Sequence, residues 1–139
     1  MKKILLATDG SQHANKLFDK VIDLAGKDRD TFKVDIIFVV TSSASKNDVL
    51  HYGDSDTANY MRKIKLQECV QVINDAGIQT RSIILHGEAA KTIIDYANNH
   101  EYDYVLTGNR GKSFLKTLLK DSISDKLIKN IQAPVMIIK

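Results

Sequence analysis

Between Tyr104 and Ser124 the chain reads YVLTGNRGKSFLKTLLKDSIS, and the residue types there suit the holding of an anion. Gly108 and Gly111 carry no Cβ, so the backbone can approach phosphate oxygens closely and offer them N–H donors. Arg110, Lys112, Lys116 and Lys120 place four positive charges within eleven residues, and Ser122 and Ser124 add hydroxyls where helical periodicity resumes. Near the start, Asp9 and Gly10 open a tight turn after an apolar run. A carboxylate there can accept hydrogen bonds from a ribose hydroxyl or hold a divalent ion. Each feature also has a plain structural use, since glycines turn a chain sharply and Asp9 can satisfy the first amides of the following helix.

Other chemistries fail on spacing. A P-loop needs four residues between its first glycine and the Gly-Lys-Ser, and only two separate Gly108 from Gly111. After the first apolar run Gly10 stands without the further glycines of a dinucleotide fingerprint. His13, His51, His86 and His100 are scattered with no HExxH among them, and no G-x-S-x-G elbow occurs. His86, ahead of Gly87, reads as a turn residue or a group on the rim of a site. Cys69, the single cysteine, excludes an internal disulfide and a thiolate metal cluster, and its neighbours Leu66, Val70 and Ile73 mark it as a small core or half-buried residue rather than a redox sensor. Asp9 is the one obvious acid or base beside the glycine segment.

These residues need elements to position them. Apolar runs predict strands at Ile4 to Thr8, Phe32 to Val40, Ile78 to His86, Tyr104 to Thr107 and Val135 to Ile138. Ala14, Leu17, Phe18, Val21, Ile22 and Ala25 lie on one helical stripe and predict a helix from Ser11, its N-cap, to Ala25, closed by Gly26. Further helices are expected from Ala58 to Ala76, from Ala89 to near His100, and from Ser122 or Ile123 to Lys129, where Ser122 and Asp125 form a capping-box pattern. Leu115, Leu118 and Leu119 suggest a short helical turn. Thr41 to Thr57 shows no period and reads as a long connection, a mobile lid or an irregular crossover. The apolar residues of Ala58 to Ala76 cover more than half the helix circumference, so that lid or a partner is expected to overlie it.

Strand and helix alternate throughout, which predicts an α/β fold with an open parallel five-stranded sheet and helices on both faces. In such a sheet a ligand lies beyond the carboxyl ends of the strands, where strand order reverses, bringing together Thr8 to Ser11, Val39 to Ser43 and Thr107 to Lys112. The last strand, Val135, Met136, Ile137 and Ile138, is apolar on both sides. At a sheet edge it needs covering, which predicts a homodimer through that edge.

The 139 residues suit a single domain spanning 1–139, and 43% hydrophobic with 27% charged residues is ordinary globular composition. A net charge of +3 is too small to argue for nucleic acid. No apolar run approaches the roughly 20 residues of a membrane span. MKKILLATDG ends its apolar run at Asp9, too soon for a signal peptide, and reads as the first strand of a cytoplasmic protein.

The chain resembles the universal stress protein family, the small UspA-like α/β proteins. The likeness covers essentially its whole length: KILLATDGS, Gly87-Glu88-Ala89, YDYVLTGNRG, SISDKLIKN and APVMIIK. Nucleotide-binding members carry Gly, two residues, Gly, nine residues, then Gly and Ser or Thr. Here Gly108, Gly111 and Ser122 keep that register, and Asp121 replaces the third glycine. The resemblance implies strand order 3-2-1-4-5, dimers through the last strand, and a cytoplasmic stress-response role without a common catalytic activity. It implies ATP as ligand, with Asp9 toward the ribose and phosphates and Val39 or Val40 beside the adenine. Thr107, Gly108, Arg110 and Gly111 would line the triphosphate, and Ser122, Ile123 and Ser124 would complete the site. A carboxylate at Asp121 would repel a polyphosphate by roughly 1 to 4 kcal/mol, unless Mg²⁺ recruits it. Three readings follow: a stress-response module that binds adenine nucleotide, a slow hydrolase or phosphotransfer protein using Asp9 and Arg110, and a protein-interaction module that needs no nucleotide.

Overall fold

A computed structural model describes residues 1–8, 14–108 and 123–138, with the backbone alone at 14, 15, 123 and 124. Five parallel strands, β1 (Lys2–Thr8), β2 (Phe32–Val40), β3 (Gln79–His86), β4 (Tyr104–Gly108) and β5 (Val135–Ile138), form one sheet in the order β3-β2-β1-β4-β5. The helices are α1 (Ala14–Ala25), α2 (Ser42–Tyr52), α3 (Ser55–Asp75), α4 (Ala89–Asn99) and α5 (Ile123–Asn130). The expected fold class and strand order are therefore observed. The expected Ser11 cap, the Leu115 to Leu119 turn and the Ser122 half of the capping box lie outside the described residues.

Period-two alternation sends the side chains of each strand to two different cores. Ile4, Leu6, Val34, Ile36 and Leu106 pack with Leu17, Phe18 and Val21 of α1 and with Leu66, Val70 and Ile73 of α3. Leu5, Ala7, Ile37 and Val105 face Ala90, Ile93 and Ala97 of α4 and Leu127 of α5. Both faces of β1 are thus covered, and Ile4, Leu5 and Leu6 are wholly buried, which explains why the strand reads as an unbroken apolar run. α3 buries Ala58, Arg62, Leu66, Val70 and Ile73, one residue per turn, while Tyr60 and Val72 on its other side stay exposed.

The sequence expectation fails at Thr41 to Thr57, where most of the connection is helical. Thr41 accepts a hydrogen bond from the Ala44 N–H at 3.1 Å and starts α2, and Gly53, in the left-handed region, ends it. Asp54 then caps α3, accepting from the Thr57 N–H at 2.7 Å, so that helix begins at Ser55 and not at Ala58. α2 escaped notice because it buries no residue and so has no apolar stripe to read. It packs chiefly on α3, supplying part of the cover expected there.

Candidate functional site

β1 and β4 are neighbours, and their chains leave for opposite faces of the sheet. β1 leads to α1 on one face, while β4 leads to α5 on the other. Open α/β sheets take ligands in the crevice beyond the carboxyl ends of neighbouring strands that are followed by helices on opposite faces, as β1 and β4 are. Ala7 is in register with Thr107, and Thr8 with Phe38 of β2, so Thr8, Thr107 and Gly108 form the described floor. Thr107 is fully buried, and its hydroxyl reaches the Gly108 carbonyl at 3.4 Å, the long limit of a hydrogen bond.

The second wall is the end of β2. Val39 packs toward α4, and Val40 is buried at the strand's last position. The Val40 carbonyl accepts the Gly87 N–H at 3.1 Å, which ties the ends of β2 and β3 together. His86 pairs in register with Val40 and is exposed at the outer edge of this end. Of the predicted site residues, Thr8, Val39, Val40, Thr107 and Gly108 are thus brought to one end of the sheet. Ile123 and Ser124 begin α5, and Asp9, Arg110, Gly111, Asp121 and Ser122 lie outside the described residues. Among the described residues no three His, Cys, Asp or Glu side chains converge. Burial, with the Glu68 charge second, pushes the half-buried Cys69 thiol up, which disfavours its reactive thiolate.

Two charged clusters escaped the sequence reading. Asp35 is buried in β2 and shares a face with Ile37 and Val39. It accepts Arg81 Nε at 2.8 Å, Arg81 Nη2 at 3.2 Å and the Tyr102 hydroxyl at 2.7 Å. Burial pushes the carboxyl up, but the Arg81 and Tyr102 hydrogen bonds and the charges of Arg81 and Lys3 outweigh it, and the net shift is downward. Burial first, then the bond to Asp35, holds the Tyr102 phenol well above its ordinary range. The cluster lies toward the amino end of β2, away from the crevice, and joins β3 to the segment before β4. A lone aspartate inside FKVDIIFVV was the available signal, since a charge in so apolar a strand is buried with a partner. In the second cluster Arg62 of α3 donates to Asp48 of α2 at 2.7 and 3.0 Å and to Asn59 at 2.7 Å.

Among the described residues no helix is long and apolar enough to cross a membrane. The sequence pattern of the universal stress protein family matches residues 1–139. The universal stress protein MJ0577 of Methanocaldococcus jannaschii is 28% identical over 153 residues, which cover 99% of this chain and 94% of that protein. The solved structure of MJ0577 superposes with a TM-score of 0.81 at 25% identity, over 99% of this chain and 95% of the other. At the level of fold, the chain is also similar to an Arabidopsis thaliana family protein with AMP bound, with a TM-score of 0.74, 16% identity and coverage of 100% and 92%. An Archaeoglobus fulgidus universal stress protein in complex with dAMP gives a TM-score of 0.69 at 18% identity, covering 100% and 98%. The match along the whole chain and the superposition on the solved structure agree, and the chain belongs to the universal stress protein family.

Proposed function

We propose that this protein is a stress-response module that binds an adenine nucleotide in the crevice between the ends of β1 and β4. The observation that carries the reading is that β1 and β4, side by side and ending at Thr8, Thr107 and Gly108, are followed by helices on opposite faces of the sheet. In sequence Asp9 directly follows Thr8, and the glycine-rich, basic segment begins at Gly108. Val39 and Val40 supply an apolar wall suited to a purine ring. Support for the ligand class comes from the AMP and dAMP held by the two relatives of like fold.

Asp121 shapes the choice among adenine nucleotides. Its charge opposes a triphosphate more than a monophosphate, so the unaltered protein favours AMP relative to members with glycine there. Asp121→Gly removes a repulsion of roughly 1 to 4 kcal/mol, and ATP affinity should rise by about tenfold or more with a smaller gain for AMP. Thermal unfolding at fixed nucleotide concentration reads both, because a ligand of the folded state raises the midpoint. Equal gains for the two ligands would assign the effect to space and not to charge; no gain for ATP would remove Asp121 from the site.

The protein acts as a homodimer joined along β5, in our reading. β5 is an edge strand whose four residues, Val135 to Ile138, are all only partly covered, and an uncovered apolar edge invites pairing. A glutamate at Ile137 should convert the dimer to monomer in sedimentation velocity. An unchanged sedimentation coefficient would place the interface elsewhere.

A further inference from the structure

α2 is anchored unlike the other α-helices among the described residues. Its eleven residues include none that is buried, and Leu50 is 83% exposed. Segments with so little buried apolar surface are the ones that open locally without global unfolding. α2 is bounded by two points suited to a hinge. Thr41, its N-cap, directly follows Val40, and Gly53 at φ +93 has open space where a Cβ would stand. What holds it down is polar: the Arg62 side chain, 8% exposed on α3, grips Asp48 with Nε and Nη2 and keeps Nη1 on Asn59 of its own helix. Asp48 is 35% exposed. Lifting α2 would return both charges to water, and Asn59 would still hold the guanidinium in place to be gripped again. Such a contact closes and releases without stranding a buried charge.

The geometry points to α2 as a hinged arm, latched by Asp48 and Arg62, whose opening moves the chain beside Val39 and Val40 and sets the rate at which nucleotide leaves the crevice. The effect on nucleotide rests on the proposed function, whereas the latch itself does not.

Native-state amide exchange of the nucleotide-free protein, compared with Asp48→Ala and with Asn47→Ala as a control on the same helix, tests the latch. In Asp48→Ala the α2 amides should exchange about tenfold faster or more while those of β1, β2 and β4 hold, as for local opening. Alanine favours helix over aspartate, so faster exchange cannot come from weaker local propensity. Unchanged α2 exchange, or acceleration shared by the strands, would overturn the arm. Stopped-flow displacement of a fluorescent AMP analogue should then show faster release from Asp48→Ala and not from Asn47→Ala. Equal release rates would overturn the gating. Failure of any protein to bind the analogue would overturn the proposed function and the gating with it, and the ligand-free exchange tells that failure from one of the latch.

Discussion

Arg81→Ala will destabilise the protein by about 3 kcal/mol at neutral pH, more than removal of the Asp35 charge it pairs with. The asymmetry follows from exposure: the Asp35 side chain is 1% exposed and that of Arg81 56%. Without Arg81 the carboxylate stays out of water with the Tyr102 hydroxyl as its remaining hydrogen-bond donor among the described residues. Asp35→Asn frees an arginine that simply returns to solvent, and the amide oxygen can still accept from Tyr102, so its cost should be about 1 to 2 kcal/mol. Urea unfolding of the three proteins gives the order. Acid then separates the mechanisms. In the unaltered protein the Asp35 pKa is lowered, so its stabilising contribution is present above the ordinary carboxylate value of about 4 and is lost as pH falls below it. In Arg81→Ala burial, the largest single cause, is opposed by Tyr102 and Lys3 alone, so the pKa rises from its lowered position and the penalty of keeping the carboxylate ionised fades as the carboxyl protonates. The gap between the two proteins should therefore narrow from pH 7 toward pH 4. A gap independent of pH would mean that Arg81 acts through packing alone.

Gly87→Ala should cost about 3 kcal/mol, the sum of backbone strain and a steric clash. Gly87 sits at φ +149, outside the range other residues favour, and a Cβ there would lie 2.6 Å from Thr92 Oγ1. It cannot move freely, because its N–H holds the Val40 carbonyl. Gly87→Ala combined with Thr92→Ala removes the clash and leaves the strain, so about half the loss should return. Chemical denaturation of both variants checks this. Full recovery would assign the whole effect to Thr92, and no recovery would assign it to the backbone. Because the same glycine ties β2 to β3, the single variant should also weaken whatever binds beside Val40.

Residues that bury an apolar face were legible from the sequence, since burial leaves a period. Leu17, Phe18 and Val21 marked α1, and the β-branched run of β2 gave its bounds at Phe32 and Val40 as observed. Strand order was not legible from the residues, because pairing depends on which edges meet; it came with the family resemblance. α2 was missed because its fold rests on the Thr41 cap and one ion pair, neither of which has a period. Asp35 was missed because nothing local names Arg81, 46 residues away, as its partner. At the site, Thr8, Val39, Val40, Thr107 and Gly108 could be placed together because strand ends in a parallel sheet share one side.

In our reading the crevice above Thr107 and Gly108 takes an adenine nucleotide. Calorimetric titration of the unaltered protein with AMP tests it most directly. A saturable heat with one site per chain, abolished when the protein is saturated with AMP beforehand, is the expected result. No heat with AMP or ATP up to about 10 mM, where even a binding free energy weaker than that of a millimolar complex would register, would contradict it.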